Sequence, residues 1–158
     1  MSGSGYRIEP LADHDRAFFD SGSETLDRYF RERAGQDVRR RLASCFVAVD
    51  EKAEVAGFYT LAASAVSLET IAPQRAKKLP RYPQIPAVLL GRLAVAGKHQ
   101  GRRLGAALVA DALIRAASSE IAAHLVVVDA KDERAARFYE HLEFERLDGE
   151  SLRLIRAL

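Results

Sequence analysis

The stretch that most constrains the fold is Leu104 to Ala117, which is apolar nearly all round. A helix without a polar face is largely buried. It lies between two apolar runs, Ala87 to Val95 and Leu125 to Val128, and both read as strands. A strand, a helix and a strand in succession make a crossover, and such crossovers are right-handed. The chain therefore reads as mixed α+β, with a central sheet flanked by helices. Its 158 residues are long enough to bury a core. No repeat, low-complexity tract or linker divides it, so residues 1–158 read as a single domain.

The remaining segments supply further elements. Ile8 begins a first strand, and Asp13 caps a short helix running to Phe19. Ser21 and Glu24, three apart, resemble a capping box. Leu26, Tyr29, Phe30 and Ala34 follow at helical spacing, and Gly35 ends that helix. Phe46 to Val49 and Val55 to Ala62 read as strands joined by the polar turn at residues 50–54. Residues 66–86 carry Pro73, Pro80, Pro83 and Pro86 and read as an ordered loop, with Pro73 opening a short helix. Glu133 to Leu142 reads as a helix. Phe144 to Leu147 and Leu152 to Ile155 read as a closing antiparallel pair.

Composition enters mainly by exclusion. The 24 Lys and Arg against 22 Asp and Glu leave a formal charge of +2, so bulk charge does not mark a nucleic-acid binder. No apolar run approaches the roughly 18 residues that span a membrane. The first residues lack the apolar core of a signal peptide. A cytoplasmic protein without membrane contact is expected. The single Cys45, inside an apolar run, reads as a small core residue in a reducing compartment. The four histidines have no metal-ligand spacing, and no metal is expected.

The chemistry gathers between the strand ending at Val95 and the helix opening at Leu104. Glycines at 97, 101 and 105 let backbone come close to a ligand. A helix N-terminus presents unpaired N–H groups and a positive dipole end. Lys98, Arg102 and Arg103 add cations, and together these features suit a pyrophosphate. Neither the phosphate-binding Gly-Lys-Ser/Thr loop nor the Gly-x-Gly-x-x-Gly dinucleotide fingerprint is present.

Gln100-x-x-Arg103-x-Gly105-Ala106 resembles the Gln/Arg-x-x-Gly-x-Gly/Ala loop of the GNAT N-acetyltransferase family. In that family the loop amides hold the pyrophosphate of acetyl-CoA. Arg103 stands where the family has Gly; inside the first helical turn it would be unstrained and would gain a phosphate contact, and that reading is preferred. Asp132 to Phe144 resembles the family segment Asn-x-x-Ala-x-x-Phe-Tyr-x-x-x-Gly-Phe, with Asp132 for Asn and Glu143 for Gly. A narrower likeness, to acetyltransferase toxins of toxin–antitoxin pairs, covers most of the chain. It rests on Phe19 to Asp27, Val55 to Leu61, Pro80 to Pro83 and Leu90 to Val95.

These resemblances imply a GNAT fold with a mixed, splayed sheet, and acetyl-CoA as cofactor. They place the cofactor on Leu93, Ala94, Val95, Gln100, Gly101, Arg102, Arg103, Leu104, Gly105, Ala106, Asp132, Ala135 and Phe138. Tyr139 becomes the general acid to the leaving thiolate. The implied substrate is aminoacyl-tRNA, acetylated on its α-amino group so that translation stops. The implied partners are a ribbon-helix-helix antitoxin, operator DNA through it, and a second copy in a homodimer.

Elementary chemistry agrees with that acceptor. An α-amino group has a pKa of roughly 7.7–8.0 and needs little help to lose its proton, whereas a lysine near ~10.4 needs a strong base. No convincing Glu or His base stands out. A tRNA is held mainly through phosphates, and the candidates are Arg39, Arg40, Arg41, Lys77, Lys78, Arg81 and Arg92, with Arg75 beside them. Two other readings stay open. One is a housekeeping acetyltransferase for a small amine or protein N-terminus. The other is a CoA-binding or partner-binding module without catalysis.

Overall fold

The computed structural model describes residues 5–158. Seven strands and five helices follow one another among the described residues. They are β1 (Arg7–Pro10), α1 (Glu24–Glu32), α2 (Ala34–Arg39), β2 (Ser44–Val49), β3 (Val55–Ser67), α3 (Pro73–Ala76), β4 (Gln84–Val95), α4 (Leu104–Ala117), β5 (Leu125–Asp129), α5 (Glu133–His141), β6 (Glu145–Arg146) and β7 (Arg153–Ala157). The strand order is β1-β2-β3-β4-β5-β7-β6. β4 and β5 run parallel while β1–β2, β2–β3, β5–β7 and β6–β7 are antiparallel, so the sheet is mixed. The residues group into two compact units, each discontinuous in sequence. One runs up to Ala62 and resumes at Gly91–Ala112; the other is Ala63–Leu90 with Leu113–Leu158.

In the first unit, α1 starts at Ser23, whose hydroxyl accepts from the Leu26 N–H at 3.4 Å. Ser21 does not cap this helix as the sequence suggested. Its N–H and hydroxyl both go to the buried Asp27 carboxylate, the hydroxyl at 2.7 Å. That pairing folds the Asp20–Gly22 turn onto the helix. Gly35 does not end the helix either. α1 stops at Glu32, and α2 restarts at Ala34 with Gly35 inside it. Residues 13–19 form turns rather than a helix, because Asp15 spends its carboxylate on the Ala17 N–H at 3.0 Å. The core here is aromatic. Phe30 stacks on Phe58 with ring centres 4.2 Å apart, and Phe19 meets Phe30 edge-on at 4.9 Å. Cys45 is buried among them, and burial pushes its thiol up to about 12, which keeps it inert.

In the second unit, Leu125 to Val128 are all buried, as a β-branched run between two neighbours requires. The proline-rich segment is ordered by backbone hydrogen bonds: Leu68 N–H to the Pro83 carbonyl and Ala72 N–H to the Leu147 carbonyl. Pro73 opens α3 at its first turn, as expected. α4, whose residues up to Ala112 belong to the first unit, departs from expectation on one side. Leu104, Leu108, Val109, Ala112 and Ala116 are buried, but Ile114 is 66% exposed.

The end of α5 explains one departure from the family pattern. Phe144 N–H reaches the Tyr139 carbonyl at 3.1 Å and Glu143 N–H reaches that of Glu140 at 3.0 Å. This is a Schellman motif, which needs a left-handed residue at the position Glu143 holds, and its φ is 71. Glycine adopts that conformation without strain, whereas an L-residue pays roughly 1–2 kcal/mol. After the extra chain entropy of glycine, Glu143→Gly should stabilise the protein by about 0.5–1 kcal/mol. Thermal unfolding should show Tm rising by about 1–4 °C.

Candidate active site

The cofactor-loop residues all lie in the first unit. After Val95 the chain makes a 3-10 turn, Gly97–His99, and α4 follows from Leu104. The first helical hydrogen bond is Ala107 N–H to the Arg103 carbonyl, 3.1 Å. Arg103 is therefore the N-cap, and the amides of Leu104, Gly105 and Ala106 precede the helix's own ladder. The loop reaches this geometry through two left-handed residues, Gly101 at φ 80 and Arg103 at φ 63. The preferred sequence reading put Arg103 inside the first turn; instead it carries the strain that the family's glycine avoids. Arg102 and Arg103 are exposed, with no ion pair among the described residues.

Neighbouring groups fix the loop. Gln100 Nε2 donates to the carbonyls of Ser21 and Val95, both at 2.9 Å. Gly97 N–H goes to the Asp20 carbonyl and Ala96 N–H to that of Ala56, both at 2.8 Å. Lys98, counted in the sequence as an anion ligand, is taken up by Glu54 at 2.7 Å. Two supports were not legible in the sequence. Gly57 on β3 leaves room for the end of β4 and the start of α4: a Cβ there would meet the Ala94 carbonyl at 3.0 Å and Leu108 at 3.1 Å. His99 is buried, its Nδ1 at 2.7 Å from the Tyr6 hydroxyl and its Nε2 at 3.4 Å from Asp50. Gly57 stands in the Val55–Leu61 segment that carries the narrower likeness, but its close approach to Ala94 and Leu108 comes from residues far along the chain. The histidine's partners come from the chain's start and from the β2–β3 turn.

Leu93 and Val95 are half-buried and Ala94 is buried. Beside them Arg92 stacks on Tyr29. Arg39 ends α2, Arg40 follows as its C-cap, and Arg41 takes φ 60; all three are exposed.

Tyr139, Asp132, Ala135 and Phe138 lie in the second unit, on and before α5. Asp132 caps the helix, its Oδ1 accepting from the Ala135 N–H at 2.8 Å. An Asp does this as well as the family's Asn. Tyr139 is 7% exposed, edge-on to Phe138 at 5.0 Å and to Phe144 at 5.5 Å. Burial pushes its phenol up to about 12, so the proton stays on at neutral pH. Arg146, on β6, holds α5 at both ends. Its Nη1 donates to Glu133 at 3.2 Å and its Nε to Glu140 at 3.1 Å. Lys77, Lys78 and Arg81 are exposed without ion pairs among the described residues. Arg75 is committed elsewhere, to Glu145 at 2.7 Å. Among the described residues no group of three or more His, Cys, Asp or Glu is arranged to hold a metal, and no helix is long and apolar enough to cross a membrane.

A left-handed turn feeds a helix N-terminus after a long strand, and a strand and a Tyr-bearing helix follow, the order of elements that the GNAT resemblance implies. The chain belongs to this family: the profile of the acetyltransferase (GNAT) domain matches residues 41–146. A tRNA-acetylating toxin of Mycobacterium tuberculosis (strain ATCC 25618 / H37Rv) is 37% identical over 143 residues, covering 89% of this chain and 84% of that protein. The structure of AtaT complexed with acetyl-methionyl-tRNAfMet matches with TM-score 0.85 and 32% identity, over 96% of this chain and 94% of that one. A Tyr-to-Phe mutant of the AtaT toxin, bound to the C-terminus of the antitoxin AtaR and acetyl-CoA, matches with TM-score 0.79 and 30% identity, over 97% and 93%.

Proposed function

We propose that this chain is a toxin that uses acetyl-CoA to acetylate the α-amino group of aminoacyl-tRNA and so blocks translation. The observation that carries this reading is the extent of the likeness. The family profile begins at residue 41, whereas the likeness to the AtaT–acetyl-methionyl-tRNAfMet structure covers 96% of the chain. It therefore includes segments outside the general acetyltransferase domain.

The loop fits the cofactor. The amides of Leu104, Gly105 and Ala106, the turn at Gly101 and the free cations Arg102 and Arg103 would hold its pyrophosphate, with Gln100 bracing the turn. Leu93, Ala94 and Val95 would flank the pantetheine arm, and a backbone N–H there would polarise the carbonyl. Asp132, Ala135 and Phe138 shape the helix on which Tyr139 sits. When bound, acetyl-CoA supplies an acetyl group activated as a thioester. Tyr139 holds a proton on its phenolic oxygen for the leaving sulfur. The α-amine of an aminoacyl ester loses its proton near roughly pH 7–8, well below a lysine near ~10.4, which suits a site without a strong base. Arg39, Arg40, Arg41, Lys77, Lys78, Arg81 and Arg92 would take tRNA phosphates.

The two compact units act as one acetyltransferase domain in this reading. The enzyme works in the cytoplasm as a homodimer and is neutralised by a ribbon-helix-helix antitoxin; the complex of AtaT with the C-terminus of AtaR supports the antitoxin partner alone. The decisive experiment supplies labelled acetyl-CoA and a pool of charged tRNAs to the purified protein. Label on the aminoacyl group, lost with Tyr139→Phe, supports the reading. Intact acetyl-CoA binding with no label on any tRNA overturns it and points to small amines or protein N-termini.

A further inference from the structure

Arg92 is held in place without being neutralised. Its guanidinium carbon lies 3.7 Å from the centre of the Tyr29 ring. The Tyr29 hydroxyl donates to Asp37 Oδ2 at 2.8 Å, and Tyr29 itself is 8% exposed. At the backbone, the Arg92 N–H is bound by the Thr60 hydroxyl at 3.1 Å. The residue is thus fixed at its main chain and along one face of its side chain. Its guanidinium makes no hydrogen bond or ion pair with any described residue, and it stands exposed. Arg75, Arg146 and Arg153, in contrast, each face a carboxylate.

Stacking covers the flat face of a guanidinium and leaves its in-plane N–H donors at the edge. Those donors match two oxygens of a phosphate. A lysine has neither the plane nor the fork. Asp37 does a second thing in the same place. Its carbonyl accepts from the Leu42 N–H at 2.9 Å, closing the turn that carries Arg39, Arg40 and Arg41. One residue therefore sets both the ring under Arg92 and the basic turn.

We propose that Tyr29 and Asp37 are positioning residues for Arg92, and that the stacked Arg92 takes a phosphodiester of the acceptor, so that the enzyme prefers an amine carried on a nucleic acid to the same amine without phosphate. This rests on the aminoacyl-tRNA reading above. Tyr29 and Asp37 act through Arg92, by pre-orienting one cation, which removes the entropy cost of ordering it during binding.

The test compares two acceptors bearing the same amino acid: the aminoacyl-tRNA and its methyl ester. The readout is the ratio of their kcat/KM values. Arg92→Ala should lower the tRNA-to-ester ratio about tenfold, through KM for the tRNA. Arg92→Lys should fail to restore it. Tyr29→Leu should lower it about fivefold. Tyr29→Phe keeps the ring and its packing and should cost about twofold. In the Arg92→Ala background Tyr29→Leu should cost nothing further, because its effect passes through Arg92. Unfolding temperatures of each variant separate folding losses from binding losses. Additive losses in the double variant, or an unchanged ratio in Arg92→Ala, overturn the proposal while leaving tRNA acetylation standing. A wild-type enzyme that acetylates the ester but no aminoacyl-tRNA overturns the function beneath it as well.

Discussion

Tyr139→Phe is expected to lower kcat by about 100-fold or more, with KM for acetyl-CoA nearly unchanged. The substitution removes one hydroxyl and keeps the ring. The packing of Tyr139 against Phe138 and Phe144 should therefore survive, and with it the fold. The hydroxyl makes no hydrogen bond to any described residue, so its loss strands no buried partner in the protein. On the role proposed for Tyr139, what disappears is the proton for the leaving sulfur. The pH profile carries a second signature. Because burial raises the phenol from 10.0 to about 12, the protonated form persists through the whole range below that value. Activity should rise as the acceptor amine loses its proton, near roughly pH 7–8, and Tyr139 should impose no alkaline loss until above about pH 10. Stopped-time assays across pH 6 to 11 would check this. A Tyr139→Phe enzyme with wild-type kcat would remove the residue from the chemistry.

The second large effect is expected from Arg39→Glu combined with Arg40→Glu. KM for aminoacyl-tRNA should rise by more than about tenfold at ~0.1 M salt, with KM for acetyl-CoA unchanged. The two residues are exposed at the end of α2, away from the core, so the fold should tolerate the change. Losing the favourable charge at that helix end costs about 0.3–1 kcal/mol of stability, too little to unfold a domain. The diagnostic readout is the salt dependence. Each phosphate contact contributes slightly less than one to the slope of log K against log salt, so the double variant should show a slope shallower by about two. Equal salt slopes for wild type and variant would return these arginines to an ordinary solvated surface.

How the chain divides its labour was partly written in the sequence. Leu104 to Ala117 is the helix its apolar content demanded, and Leu125 to Val128 is the buried strand expected of a β-branched run. The Pro73 helix, the turn at residues 50–54 and the closing antiparallel pair follow equally from local chemistry. The loop between Val95 and Leu104 was legible because glycines and a helix start are local signals. Local signals failed where a residue had a choice of partner. Ser21 and Ser23 are both good caps, and the buried Asp27, not the capping rule, took Ser21. Gly35 is a plausible helix stop, but the chain had already broken at Arg33.

The sequence by itself determined the class of fold, the order of elements from β2 onward and the family. These depend on hydrophobic period and on short motifs whose residues are neighbours in the chain. Tertiary structure alone decided which cations are free and which are bound. Lys98 and Arg75 read as anion ligands until Glu54 and Glu145 were seen beside them, 44 and 70 residues away. Arg92 became a held, unpaired cation only when Tyr29, from α1, was found under it. Arg103 and Glu143 kept their unusual conformations because loop closure and the Schellman hydrogen bonds fix the backbone angle, whatever side chain is attached. Whether a cation is free or bound depends on its surroundings, and those are assembled from residues far apart in sequence.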